Sequence, residues 1–178
     1  PWRDSSHVIP NTLDRQNALE AALYLEDKYT LTENISFNAG LRFVSFFVLG
    51  PQTVLDYDPS FPRSSSSVTD TLLVGNNKTY KTYGAPEFRL SANIRLNDNS
   101  SIKLNYNKTR QYLHLLSNTV TISPTDIWKL SDFNIKPQVC DQLAAGYYRL
   151  LNKNKIEASA EVYYKQIDNM IDIDTPML

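Results

Sequence analysis

The chain has 178 residues, a formal net charge of −1, 42% apolar and 21% charged residues, and one cysteine. That length is one domain's worth, and the balance fits neither a disordered tail nor an ordinary helical membrane protein. No basic excess exists to hold phosphates, so no nucleic-acid partner is expected.

Cys140 has no second thiol to pair with, and His7 and His114 lie far apart in sequence. Without a Cys/His set at zinc spacing, both histidines read as ordinary polar residues, and neither a metal nor a cofactor is expected. No stretch approaches the ~18 consecutive apolar residues of a membrane helix, but barrel strands show only alternate apolar residues and leave a weak hydropathy signal. Pro1-Trp2-Arg3-Asp4 does not resemble a signal peptide, and the chain reads as a piece of something longer. Eleven Tyr and seven Phe suit pleated, half-buried surfaces and membrane–water boundaries.

The first predicted element, Asn17 to Tyr29, alternates Leu19, Ala21, Leu23 and Leu25 against Glu20, Tyr24, Glu26 and Lys28. Its Ala, Leu and Glu content favours helix by propensity. The regular alternation favours strand, and strand is the reading adopted. A short turn at Thr30 to Glu33 leads to Asn34 to Phe43, with Ile35, Phe37, Ala39, Leu41 and Phe43 on one face and Ser36, Asn38 and Arg42 on the other. A long link follows, roughly Leu49 to Ala85, holding Ser64–Ser67 and Gly75-Asn76-Asn77, which is loop composition.

The clearest strand is Glu87 to Asn97. Phe88, Leu90, Ala92, Ile94 and Leu96 face one way; Glu87, Arg89, Ser91, Asn93, Arg95 and Asn97 face the other. Turn chemistry at Asn97-Asp98-Asn99-Ser100 joins it to Ser101 to Leu113, where Ile102, Leu104 and Tyr106 alternate with Lys103, Asn105 and Asn107. Lys108 and Arg110 then share the parity of the apolar residues. Either that face has left the apolar layer, or a bulge resets the register. A second long link runs roughly from His114 to Pro137. The last hairpin pairs Val139 to Leu150 with Ile156, Ala158, Ala160, Val162 and Tyr164, which alternate against Glu157, Ser159, Glu161 and Lys165, across Asn152-Lys153-Asn154-Lys155.

The fold class expected is therefore all-β, an antiparallel up-and-down meander of six strands. Short turns alternate with links far longer than the ~4–6 residue median. The strands reach the ~9–11 residues needed to cross a membrane at a tilt. A soluble sandwich would show the same alternation with the apolar face inward, but length, loop asymmetry and aromatic content favour an outer-membrane barrel.

The segments NISFNAGLRF, SSIKLNYNKTRQYLHLLSN, PTDIWKLSD, NIKPQV and EASAEVYYKQIDNMID, in that order and spacing, resemble the barrel of TonB-dependent outer-membrane receptors, especially the large Bacteroidota group. The resemblance runs from about Asp14 to Asp172. It implies an outer-membrane active transporter that binds a scarce nutrient, such as an iron chelate, haem, glycan or peptide, and imports it on TonB-supplied energy. Implied partners are outer-membrane lipid, TonB, the imported ligand and a surface lipoprotein. Nothing in the chain resembles the family's plug or TonB-engaging segment, and family barrels have about 22 strands, so residues 1–178 are expected to be part of a barrel wall.

In that reading Glu87, Arg89, Asn93, Arg95, Glu157 and Glu161 face the lumen, and Tyr57, Phe61 and Trp128 are loop residues able to contact ligand. The alternative is a soluble β-rich carbohydrate-binding or adhesion domain, with Asp56, Tyr57, Asp58, Phe61 and Trp128 as a sugar-binding surface. An enzyme is not expected: no G-x-S-x-G, H-E-x-x-H or Gly-rich phosphate loop occurs. The glycosylation-like triplets at Asn34, Asn77, Asn99 and Asn107 are chance products of Asn-rich turns.

Overall fold

The computed structural model describes residues 15–62, 64–116, 127–151 and 155–171. Among these described residues ten strands follow in chain order: β1 (Asn17–Thr32), β2 (Ile35–Leu49), β3 (Gln52–Tyr57), β4 (Val68–Val74), β5 (Thr79–Asn97), β6 (Ser100–Gln111), β7 (Leu113–Leu116), β8 (Ile127–Leu130), β9 (Gln138–Leu151) and β10 (Ile156–Asp168). Six of them form one antiparallel sheet in the order β1-β2-β5-β6-β9-β10, and β3–β4 and β7–β8 are separate two-stranded hairpins. The expected meander is present.

The Ala- and Glu-rich first segment is strand throughout. Its residues pair with β2 from Asn17↔Leu49 to Thr30↔Ser36, and this ladder overrides helix propensity, which is worth only tenths of a kcal/mol per residue. The β1–β2 turn is tied by Thr32 Oγ1, which accepts the N–H groups of Asn34 at 3.3 Å and Ile35 at 3.1 Å. The β5–β6 turn is tied by Asn97 Oδ1, which accepts the Asn99 N–H at 3.0 Å. The expected turn Asn152–Asn154 lies outside the described residues.

Two expectations need correction. The links after Leu49 and after His114 are not plain loops, because each carries a hairpin. The membrane-type strands also differ in length from those anticipated: β6 stops at Gln111, short of the expected Leu113, whereas β5 has 19 residues and starts at Thr79. Its upper part, Thr79 to Ala85, pairs with β2 alone. There, Lys81 and Thr82 interrupt the apolar alternation, which hid the extension.

Pro86 explains where β5 and β6 separate. The Arg95 N–H donates to Asn34 O on the β2 side, so odd-numbered residues of β5 direct their main-chain groups toward β2 and even-numbered ones toward β6. Pro86 has no N–H to offer β6. The ladder accordingly ends at Phe88↔Lys108, and the Arg110 guanidinium, in place of a strand, donates to the Pro86 carbonyl.

The β6–β9 register runs without a shift from Ser100↔Arg149 to Gln111↔Gln138. No bulge resets it, so Lys108 truly belongs to the face of Ile102, Leu104 and Tyr106. It meets its cross-strand neighbour Asp141 at 3.0 Å.

Candidate functional site: a two-faced wall with a loop cap

The register assigns every side chain of the sheet to a face. One face carries Leu19, Ala21, Leu23 and Leu25 of β1, Ile35 to Phe43 at odd positions of β2, Phe88 to Ile94 at even positions of β5, Ile102, Leu104 and Tyr106 of β6, Leu143, Ala145 and Tyr147 of β9, and Ala158 to Tyr164 at even positions of β10. Many of these are openly exposed, with Leu23 82%, Leu143 58% and Val162 69% accessible. A contiguous apolar surface of this extent marks a lipid or protein contact.

The band is not level. On β1 it centres near Leu23, which lies in the row of Phe43; on β10 it centres near Ala160, in the row of Tyr147, Ile102, Ile94 and Ile35. Crossing five strand steps, the band therefore slides by about eight residues. With a rise of ~3.3 Å per residue and ~4.8 Å between strands, the strands tilt by roughly 45° to the band, close to the ~35–45° of membrane barrels. Polar residues bound it diagonally: Asp27 below on β1, Lys108 with Asp141 above on β6 and β9, Arg149 below on β9, and Gln166 above on β10.

The opposite face is polar along its lower half. Glu87, Arg89, Asn93, Arg95, Glu157 and Glu161 all share it, as the alternation predicts. Arg42 bridges Glu20 at 2.9 Å and Glu87 at 3.2 Å, and the second Glu87 oxygen accepts the Arg110 N–H at 2.9 Å. This satisfies a carboxylate that is only 5% exposed. Asn38 donates to Glu26 at 2.7 Å, Tyr148 donates to Glu161, and Lys103 Nζ sits 4.4 Å from the Tyr148 ring centre. Asn93, Arg95 and Glu157 line one groove of about 440 Å³ near the short turns. Arg42, the hub of this ion-pair network, carried no sequence signal beyond being the one charge in its strand.

The upper half of the same face is different. Val44, Phe46 and Val48 are buried there with Tyr112, which stacks on Phe46 at 4.5 Å between ring centres; Tyr80, Tyr83 and Leu130 pack around them. The β7–β8 hairpin and the residues after it are held to this end. Leu130 N–H donates to Gln16 at 3.0 Å, Ser131 N–H to Tyr112 O at 2.7 Å, and Tyr83 hydroxyl to Asp132 O at 2.6 Å. Asp132 accepts the N–H groups of Asn134 and Ile135 and meets Lys129 at 3.4 Å.

His114 is 2% exposed, with Nε2 2.8 Å from Ser131 Oγ. Burial lowers its pKa below the ordinary value, against a smaller opposing pull from Asp132. Burial likewise raises the Tyr112 hydroxyl, the largest of several causes. The stretch Val44-Ser45-Phe46-Phe47-Val48-Leu49, apolar except for Ser45, was the available signal for this cap.

The proposed loop aromatics are not assembled in one hairpin. Tyr57 ends β3, Phe61 lies in the link after it and is 64% exposed, and Trp128 lies in β8 and is 60% exposed. Asp56 and Asp58 serve local turns, accepting the N–H groups of Tyr57 and Ser60. Among the described residues no group of three or more His, Cys, Asp or Glu could hold a metal ion.

An open antiparallel meander with one apolar band, one polar face and hairpins inserted at a single end defines a piece of membrane β-barrel wall. A family model for the TonB dependent receptor-like β-barrel matches residues 3–177, and the chain belongs to that family of outer-membrane transport proteins of Gram-negative bacteria. No curated protein and no solved structure matches it.

Proposed function

We propose that the chain forms six strands of the wall of an active nutrient importer energised through TonB. The apolar band faces lipid, and Glu87, Arg89, Asn93, Arg95, Glu157 and Glu161 face the lumen. The observation that carries this reading is the tilted apolar band bounded by polar residues, backed by an ion-pair network on the opposite face. The hairpins β3–β4 and β7–β8 lie on the extracellular side, following the rule of short periplasmic turns and long outer connections. Tyr57, Phe61 and Trp128 are the loop side chains placed to meet ligand. The outer edges of β1 and β10 are completed by neighbouring strands, because unsatisfied main-chain groups in lipid cost several kcal/mol each.

Cysteine labelling in the intact receptor tests the faces. Cysteines replacing Arg89 and Asn93 should react with small aqueous thiol reagents, and those replacing Leu90 and Ala92 should be protected. Protection at 89 and 93 with reactivity at 90 and 92 would reverse the assignment.

A further inference from the structure

Above Phe88 and Lys108 the ladder between β5 and β6 has ended, and the residues after β8 fill only part of the gap. What remains is a cavity of about 290 Å³ whose lining includes Lys81, Tyr83, Arg110, Tyr112, Phe133 and Lys136. Lys81 and Tyr83 share the odd parity of Glu87 and Arg89, so they stand on the polar face of β5. Tyr112 stacks on Phe46 of that same face, and the Tyr83 hydroxyl donates to Asp132 O, which brings Phe133 and Lys136 to this side. The cleft therefore belongs to the face proposed to line the lumen, at its outer end. Its charge is one-sided. The nearby carboxylates are engaged: Glu87 with Arg42 and the Arg110 N–H, Asp132 with Lys129 and two N–H groups, Asp141 with Lys108 and Tyr106. Among the described residues, Lys81, Arg110 and Lys136 form no ion pair. Lys81 instead lies 5.3 Å from the Tyr83 ring centre and 5.5 Å from that of Phe133, which holds the ammonium at the cleft without neutralising it. The Arg110 guanidinium spends one N–H on Pro86 O and has others to offer. Tyr112 adds a buried hydroxyl that has no hydrogen-bond partner among the described residues. Three unpaired cations and an orphaned donor around one cavity lack the same thing, an acceptor carrying negative charge.

We infer that this cleft binds an oxyanion group, a carboxylate or a phosphate, of the imported nutrient, so that the nutrient is an anion and not a neutral glycan. A guanidinium fork and two ammonium groups around a small concavity match the geometry and charge of such oxygens. Cations of one sign lining a concave site also concentrate anions before contact. The Tyr83 and Phe133 rings serve here to position the Lys81 ammonium. A neutral sugar would satisfy the Tyr112 hydroxyl but leave all three cations without a countercharge. Further down the same face the balance changes, because Arg42 is flanked by Glu20 and Glu87. The unneutralised positive charge is thus confined to the outer end, where a ligand arriving from outside meets it first. This inference names a ligand class for the importer and rests on the membrane placement proposed above.

The test uses the intact receptor, purified in a non-ionic detergent at low salt. Three probes are titrated separately by calorimetry: citrate, inorganic phosphate, and the neutral triethyl ester of citrate. At least one of the two anions should bind, about tenfold or more tightly than the ester, and the stronger of them identifies the oxyanion as carboxylate or phosphate. Lys81→Gln with Lys136→Gln should erase about that factor. This double variant keeps the Arg110–Pro86 contact, and its unfolding midpoint should match the parent's. Tyr112→Phe keeps the ring on Phe46 and removes only the hydroxyl, so it should weaken the anion by about two- to fivefold. Lys103→Gln, on the polar face near the short turns, should bind as the parent does. Binding of neither anion, equal binding of citrate and its ester, or full binding by the double variant would overturn the proposal. Such a failure with the expected labelling at 89 and 93 would defeat the anion site alone; reversed labelling would defeat the placement itself.

Discussion

β2 is two different strands in one. From Ile35 to Arg42 it alternates strictly, with Phe37, Ala39 and Leu41 on the apolar face and Ser36, Asn38 and Arg42 on the polar one. From Val44 to Leu49 the polar face disappears: Val44, Phe46 and Val48 occupy its positions and are buried. The backbone does not change, and β2 pairs with both neighbours along its length. What changes is the material on the inner side. The lower half carries side-chain ion pairs, and among the described residues no hairpin packs over it, so polarity is retained. The upper half has Tyr112 and the β7–β8 end of the chain packed on it, so it becomes a small core. Period-two patterning thus reports what covers each face, not where a strand stops.

The sharpest way to break this comparison is to put a charge on each face of the lower half. Leu104→Arg on the apolar face should lose ~2–4 kcal/mol of stability, as expected for a cation deep in lipid. Asn105→Arg, one residue along and on the polar face, should lose far less. Urea unfolding in lipid vesicles measures both, and equal losses would mean the two faces see the same solvent.

The upper half is tested by truncation. Phe46→Ala removes the ring that stacks on Tyr112 and should lose about 3 kcal/mol, near the lower end for a buried aromatic because the cluster is small. Phe37→Ala, on the apolar face and 43% exposed in the chain alone, should lose less, since lipid tails can refill the space. The same unfolding assay compares them. A larger loss at Phe37 would place the true packing core on the other face.

How much of this was legible depends on which half is considered. The alternation in Glu87 to Asn97 and in Ile156 to Lys165 fixed both faces and the six-strand meander, because side chains alternate at period two and one face meets an apolar medium. All six proposed polar-face residues lie on one face for that reason. The cap was not legible. Val44-Ser45-Phe46-Phe47-Val48-Leu49 is apolar except for Ser45, which says nothing about what covers it. The partner, Tyr112, lies 66 positions beyond Phe46, and single-sequence patterns carry no information on such pairings. Arg42 and Glu87 were equally invisible as a pair, since the β2–β5 register that joins them follows a long hairpin-bearing link.

The cap should also respond to pH. Burial holds the His114 imidazole below its ordinary 6.5, so the undocked chain takes up a proton more readily than the docked one. Docking of the β7–β8 hairpin should therefore be at full strength above pH ~6.5 and weaken as the pH falls below it. Hydrogen exchange of the Leu113–Leu116 and Ile127–Leu130 amides at pH 5 and pH 8, corrected for intrinsic rates, should show faster opening at pH 5. His114→Gln should flatten the difference. A pH effect that persists in this variant would assign the switch to another group.

The smallest expected effect concerns the boundary between the two halves. Lys108 sits on the apolar face, hydrogen-bonded to Asp141, which also accepts the Tyr106 hydroxyl at 2.6 Å. Asp141→Asn removes the countercharge and leaves the ammonium in place. If Lys108 lies at the outer headgroups, water and lipid phosphates replace the lost partner, and the loss should be only ~0–1 kcal/mol; at the bilayer midplane an unpaired cation would cost ~2–4 kcal/mol. The size of the change therefore measures depth. The diagonal of polar residues places the upper edge of the band at this pair on β6 and β9, so the small value is expected. A loss above about 2 kcal/mol would push the upper edge of the band outward past Arg110 and steepen the tilt inferred from the diagonal of polar residues.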